Sequence, residues 1–438
     1  MRRGWVAAAA AAMVVLTACS SEGGGSSSSA ATAGSDPAKV SGAITVLTNR
    51  TDQIKDGSLD KYAAEFAKLY PNVKVKFEGL TDYEGETKIR MNTENYGDVL
   101  LIPDNVSINQ YVNFFAPLGD ASELSQKYNW TEYTTVKGKV YGLPNYGTAT
   151  GFVYNKALWQ KAGIADWPKT SAEFIADLKA IKEKTGATPY YTNYKDAWPI
   201  QKWTDSIGAP NCDRAGKDAL ATTAQPWAAG QDLNAIDGLL YDVVHEKLSE
   251  DDPTTTNWEN SKNLLATGKV GSMVLGSWAI PQMQEAAKKA GQNPDDIGFL
   301  PFPQATGGKL CTILQPDYKY AVNVHSKNKE AARAWIDWYI DKSGSAAAEQ
   351  AVSSVKGSAM PTVLKPFEDK GVTLLLGQKQ DNAAAISKID KASEIGLTTP
   401  DYRQKLIDIA RGAAQGDKNS YFADLNKKWS EAQKTVAG

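Results

Sequence analysis

Two histidines, His245 and His325, and three cysteines, Cys19, Cys212 and Cys311, are all the imidazoles and thiols in 438 residues. A zinc site needs three or four such ligands converging, and no Cys-x-x-Cys is present. No metal is expected, and both histidines read as surface or helix-terminal residues. The chain also lacks a G-x-x-x-x-G-K phosphate loop, a G-x-S-x-G nucleophile elbow and an H-E-x-x-H helix. Carboxylates are plentiful, so counting leaves open a glycosidase pair flanking one sugar bond, but no local motif singles out two of them. What abounds is aromatic: 12 Trp and 19 Tyr, beside many Asn and Gln. Such a chain suits holding a molecule better than transforming it, and neither a catalytic residue nor a cofactor is expected.

The three thiols divide by position. Met1-Arg2-Arg3 is followed by an apolar run over 6–16, too short to span a bilayer as a mature helix. It ends in "LTAC", residues 16–19, and continues as "SSEGGGSSSSAATAGSDP". Small residues before Cys19 fit a lipoprotein signal over 1–18, cut so that the Cys19 thiol carries lipid. Residues 19–40 then form the flexible tether that a lipid-anchored domain needs. The other reading is an ordinary signal peptide with a chance cysteine. Cys212 and Cys311 remain. In an oxidising compartment they are either a disulfide or two small apolar residues, and both readings stay open. Lys and Arg number 48 against 50 acidic residues, which leaves no basic field for a phosphate backbone. Nucleic acid is therefore not expected as a partner.

The elements that would position a site alternate in type. The length exceeds one ordinary core and suits two lobes. A strand over 44–47 leads to the polar loop "TNRTD" within 48–57. A helix with Leu59, Tyr62, Ala63, Phe66 and Leu69 on its buried face stops at Pro71. Strand 73–78, helix 83–93 and the buried strand "DVLLIP" over 98–103 follow. This order predicts an α/β fold with a mostly parallel sheet, whose ligands sit beyond the carboxyl ends of the strands. Those ends carry "TNRTD" and "PDN" (103–105). Further on the pattern predicts strand 151–155 and helix 156–162 with Asn155 as cap. The next helix is capped by Thr170 with Glu173 and ended by Gly186. Strand 270–275 runs into a tight loop bearing Trp278, then a helix with Pro281 in its first turn. Strand 320–324, a helix capped by Ser326 and carrying Ala331, Ala334, Trp335 and Trp338, and helices over 401–415 and 420–435 complete the chain.

Several stretches, in order, resemble one family. They are "LYPNVKVKFE", "GDVLLIPD", "GKVYGLPNYGTATGFVYNKALWQKAGI", "WPKTSAEFIADLKAIK", "ATGKVGSMVLGSW", "IGFLPFP" and "SKNKEAARAWIDWYI". Together with the lipoprotein-like start they are similar to the extracellular solute-binding proteins of bacterial ABC importers, in the carbohydrate-binding group that includes maltose-binding protein. The resemblance implies a two-lobed, periplasmic-binding-protein-like fold (type II) joined by two or three crossing strands, with ligand held between the lobes. The first lobe would comprise 41–145 and 320–356, the second 146–319 and 357–438. Residues 141–151 would be a hinge crossing in which Gly142, Pro144, Gly147 and Gly151 let the backbone bend, and 152–164 the first strand and helix of the second lobe.

The implied role is a monomeric carrier that catches a mono- or oligosaccharide and presents it to the transmembrane permease subunits. Alternatives are a non-sugar solute or an extracytoplasmic enzyme on polysaccharide. A pyranose needs a flat apolar partner for its C–H face and planar polar groups for its hydroxyls. Matching the family's motifs puts Trp278 and Trp198 as stacking platforms. Asn49, Arg50, Asp52, Asp104 and Asn105 then fall at first-lobe loops and Asn145 and Tyr146 at the hinge, with Tyr318 and Lys356 as further contacts. The chain departs from the family in having Pro103 where many sugar binders carry an aromatic, and in the segment "KLCTILQPDYKY". Both departures bear on which sugar would be bound, not on the fold.

Overall fold

The computed structural model describes residues 36–437, together with Met1, Ala31 and Thr32. The proposed signal segment, Cys19 and most of the tether lie outside the described residues. Two separate sheets organise the rest. The first has the order Val73–Gly79, Gly42–Thr48, Val99–Leu101, Lys319–Asn323, Phe115–Ala116, with Leu143–Pro144 also on Lys319–Asn323. The opening three strands are parallel, as their alternation with the helices Ser58–Leu69 and Tyr83–Arg90 implies. The fourth returns antiparallel from far along the chain, pairing Tyr320 with Leu101. Leu59 and Phe66 bury the first helix against this sheet, whereas Leu69, expected on the same face, is exposed. The "TNRTD" loop is not wholly irregular, since Thr51–Lys55 forms a short helix.

The second sheet has the order Thr188–Tyr190, Val270–Gly276, Tyr146–Asn155, Cys311–Pro316, Thr373–Leu376, and Ile297–Leu300 and Val352–Ser353 also pair with its central strand. That strand is ten residues long and starts at Tyr146, not near residue 151. Gly147 and Gly151 therefore do not bend the chain. They lie within a continuous strand at points of close approach: a Cβ on Gly147 would overlap the Trp130 ring, and one on Gly151 the Leu300 carbonyl. Apolar cores cover both faces of this sheet and a third core covers the first sheet, so the architecture is two lobes.

The chain passes between the sheets three times. Leu143–Pro144 and Tyr146–Asn155 are separated by Asn145 alone, and Cys311–Pro316 and Lys319–Asn323 by Asp317 and Tyr318. These two passes bond to each other, Asn145 N–H to Tyr318 O at 3.0 Å and Asp317 N–H to Tyr146 O at 2.9 Å. The third pass leaves helix Lys329–Asp341 through Ser345–Ala348 to Val352–Ser353.

Local signals in the sequence account for several element ends. The Asn155 side chain accepts the Leu158 N–H at 2.8 Å, Thr170 Oγ1 accepts from Glu173, and Gly186 closes its helix at φ 70°. The Glu173 carboxylate reaches back one residue beyond the cap, to Lys169 N–H at 2.6 Å. Ser326 does not cap its helix, which starts after Asn328. Instead its hydroxyl accepts the Asn328 N–H at 3.0 Å and donates to Asp98 at 2.5 Å.

Cys212 and Cys311 form a disulfide across a sequence separation of 99. It ties a loop of the second lobe to the strand that leads into Asp317. Closing so long a loop restricts the unfolded chain, so replacing both cysteines with serine is expected to cost about 2–5 kcal/mol. Urea unfolding of the variant against the oxidised protein measures this; coincident midpoints would show that the bridge contributes nothing.

Candidate ligand-binding cleft

Where the sheets meet, a cleft of about 380 Å³ opens at the carboxyl ends of Gly42–Thr48, Val99–Leu101 and Val270–Gly276. A floor of about 240 Å³ continues beneath it. A larger hollow of about 750 Å³ lies behind the second sheet between helices Lys156–Lys161 and Ala279–Lys289, and none of the residues expected to bind ligand lines it. The cleft at the crossings, where polar groups of both lobes converge with aromatics, is the stronger site.

The second lobe supplies an aromatic wall. In "GSW" Gly276 ends its strand, and the Trp278 indole folds back over it so closely that a Cβ on Gly276 would overlap the ring. Ser277 holds the turn by exchanging bonds with Ala149, its N–H donating at 2.8 Å and its Oγ accepting at 3.0 Å. Trp198 lies 5.9 Å from Trp278, tilted by 38°, and both face the cleft. Trp258 stands edge-on to Trp198 at 5.0 Å, and its backbone N–H donates to Asp196 at 2.7 Å. Ala197, just before Trp198, holds φ 63° and ψ −50°, a strained conformation costing roughly 1–3 kcal/mol. The result is a two-indole platform, Trp198 and Trp278, backed by Trp258.

The first lobe supplies charge and hydrogen bonding. Thr48 Oγ1 accepts the Arg50 N–H at 3.0 Å, and Arg50 sits at the start of the short helix. Its guanidinium donates to Asp52 on one side, at 2.7 Å through Nη2, and pairs with Glu349 at 2.9 Å through Nη1. Burial opposes the Arg50 charge, but the two carboxylates outweigh it and hold the group ionised. Gln53 donates to the other Glu349 oxygen at 2.6 Å. Asp52, whose own burial is outweighed by Arg50, is held below the usual carboxylate range, yet it clamps Arg50 from outside and does not line the cavity.

The crossings bring the remaining groups. Asn145 accepts the Tyr146 N–H at 2.8 Å, and Tyr146 is buried beside it with its phenol pushed up by desolvation. The Tyr318 hydroxyl donates to Glu84 at 2.8 Å. Asp317 faces both cavities. Burial pushes its carboxyl up, against the Tyr318 N–H that donates to it at 2.7 Å and the lysines nearby. On the floor Asp205 sits between Lys202 at 3.4 Å and Lys217 at 3.2 Å, and their attraction overcomes its burial to keep it low. Asp104 projects into the opening with Lys319 at 3.9 Å.

Asn49, Arg50, Asp104, Asn145, Tyr146, Trp198, Trp278 and Tyr318 thus come together from positions spread over the chain. Asp52, Asn105 and Lys356 do not join them. Asn105 is exposed, 3.4 Å from the Glu84 carbonyl, and Lys356 donates to Ser125 O at 2.6 Å. Gln53, Lys202, Asp205, Gln282, Asp317 and Glu349 also line the cavities without having been expected there. For Asp317 a signal existed, since Pro-Asp follows a strand in the segment where the chain departs from its family. For Glu349 none did, because its partner Gln53 lies 296 residues away. Among the described residues no group of three or more His, Cys, Asp or Glu is arranged for a metal, and no helix is long and apolar enough to cross a membrane.

Asp317 gives a separable test. Its raised folded pKa means the native state holds the proton more tightly than the unfolded chain. Its burial therefore costs stability at neutral pH, and that cost shrinks as pH falls below the folded value and is gone below the unfolded one. Asp317→Asn is expected to leave unliganded stability unchanged or improved while weakening binding of a hydroxyl-rich ligand by roughly tenfold or more. Affinity in the native protein is expected to fall with pH as Asp317 protonates, and the Asn variant to lose that dependence. An unaltered affinity and pH profile in Asp317→Asn would remove Asp317 from the site.

The bacterial extracellular solute-binding protein family model matches residues 51–346, and the chain belongs to that family. BlMnBP1, the binding protein of an ABC transporter from Bifidobacterium animalis subsp. lactis solved in complex with mannobiose, is 31% identical to this chain with a TM-score of 0.83, covering 92% of this chain and 96% of its own. BlMnBP2 of the same organism, a manno-oligosaccharide specific solute binding protein in complex with mannotriose, is 29% identical with the same TM-score, covering 92% and 96%. The diacetylchitobiose binding protein DasA of Streptomyces coelicolor is 28% identical over 305 residues, 65% of this chain and 67% of its own length.

Proposed function

We propose that this protein is the substrate-binding subunit of an ABC importer, capturing an oligosaccharide between its lobes and delivering it to the permease. The observation that carries this reading is the pairing, across one cleft, of the Trp198–Trp278 platform with Arg50, Asp317 and Glu349. Indoles take the C–H face of a sugar ring, and carboxylates and a guanidinium take its hydroxyls in charge-assisted bonds. The relatives solved with mannobiose and mannotriose support a sugar as cargo.

On this reading the lobes, 41–145 with 320–356 and 146–319 with 357–438, turn about the three crossings. Ligand favours the closed arrangement by its greater affinity for it, which requires contacts from both sides. The protein acts as a monomer, binds without turnover, and is held outside the cell membrane by lipid on Cys19, as "LTAC" and the Gly/Ser tether suggest.

A thermal-shift screen tests the cargo. A ligand at a hundredfold excess over its Kd stabilises the fold by about 2.7 kcal/mol, so at least one manno-, chito- or galacto-oligosaccharide is expected to raise Tm by several degrees. A rise with peptides or polyamines, and none with sugars, would overturn the sugar reading.

A further inference from the structure

The cleft does not end at the tryptophans. Asp104 lines the central cavity, the floor and a third hollow of about 680 Å³ beyond them. Tyr133 and Gln315 line both the floor and that hollow, so the three spaces adjoin one another. The outer compartment has Tyr111 and Tyr133 as aromatic walls and segments 207–217 and 377–387 opposite.

The charge there is lopsided. Three cations, Arg214, Lys217 and Lys379, face the compartment against one carboxylate, Asp104. Asp104 already lies near Lys319, and Lys217 shares Asp205 with Lys202. Among the described residues no carboxylate comes within 4.0 Å of Arg214 or Lys379. A neutral group stands beside Arg214 instead: with its amide oxygen oriented toward the guanidinium, Gln378 can accept Nε–H at 2.7 Å and also Nη2–H. That orients the guanidinium without neutralising it. The loop bearing Arg214 is also stapled. Cys212 is bonded to Cys311, and Asp232 accepts the N–H groups of Gly208 at 2.7 Å and Asn211 at 3.2 Å. An exposed guanidinium on a restrained loop, with no carboxylate beside it, is open to pair with a planar carboxylate.

We infer that the outer compartment is a subsite for a carboxylate-bearing sugar ring, a uronate, on an oligosaccharide whose other end stacks on Trp198 and Trp278. The inference rests on the reading of the cleft as an oligosaccharide site and narrows it to acidic oligosaccharides.

The test is calorimetry on the disulfide-intact protein with matched sugars. These are xylotriose and xylotetraose with and without one glucuronate branch, and mannotriose and cellotriose with and without oxidation of one C6 to a carboxylate. On at least one backbone the uronate form is expected to bind roughly tenfold or more tightly than its neutral partner. The margin should shrink at high salt, because the site is open to solvent. Arg214→Gln combined with Lys379→Gln is expected to abolish the margin while leaving neutral-sugar affinity within about twofold. Neutral sugars binding with no preference for the uronate, or a preference that survives the double variant, would overturn this inference alone. If none of these sugars binds in either form, this inference falls, and the sugar reading falls with it only if the thermal-shift screen also finds no sugar.

Discussion

Replacing Trp278 with alanine is expected to weaken oligosaccharide binding by roughly 30- to 150-fold, a loss of about 2–3 kcal/mol. The loss has two sources. The indole contributes apolar area removed from water on the sugar's C–H face, and its rigid ring, with only two rotatable bonds, loses little entropy on binding. Trp198 remains, but without its partner at 5.9 Å the platform is half its former width. A companion variant separates the ring from its placement. Gly276→Ala keeps the indole, but the added Cβ cannot share space with it, so the ring must move. Affinity in Gly276→Ala is expected to fall too, though by less. An affinity within about twofold of wild type in Trp278→Ala would remove the platform from the account.

The second large effect concerns stability. Arg403 donates to Asp237 at 2.7 Å with both side chains at 0% exposure. Asp237 also accepts from Trp227 Nε1 at 2.7 Å and the Tyr402 hydroxyl at 3.2 Å. Replacing Arg403 with Met leaves a buried carboxylate without its counter-charge and is expected to cost about 3–5 kcal/mol. Replacing both partners with apolar residues should recover part of that, though the indole and phenol would still lack their acceptor. The consequence extends to the cleft. Arg403 also bonds to Thr204, inside the Lys202–Ser206 turn that carries Lys202 and Asp205 on the cleft floor. Urea unfolding measures the loss, and a change below about 1 kcal/mol would show that the pair is not holding this core together.

What the sequence made legible follows the range of the interactions. The caps at Asn155 and Thr170 and the stop at Gly186 are local, made within three or four residues, and all stand where the chain pattern puts them. Trp278 was legible for a similar reason, since a strand, a small turn and a helix define its place. The longer central strand was not. Its glycines read as bends, because nothing local shows that Trp130 and Leu300 press against them. Ser326 looked like a cap because serine before a helix usually is one, but its hydroxyl is taken by Asp98, 228 residues away. The disulfide was undecidable from two cysteines alone and is settled only by the packing of the Cys212 loop on the Cys311 strand. Glu349 and Asp317 reach the cleft through the crossings, which bring distant segments together. Lys356, also near a crossing, turns its amine to a carbonyl outside the cleft.

On the proposed function, one sugar is held by both lobes at once. The most direct measurement is a calorimetric titration, with the sugar giving the largest thermal shift, of wild type, Arg50→Gln in the first lobe and Trp278→Ala in the second. The expected result is one site per chain in wild type, unaltered sugar recovered afterwards, and affinity lost from either side. Wild-type affinity in either variant, or sugar cleaved during the titration, would contradict it.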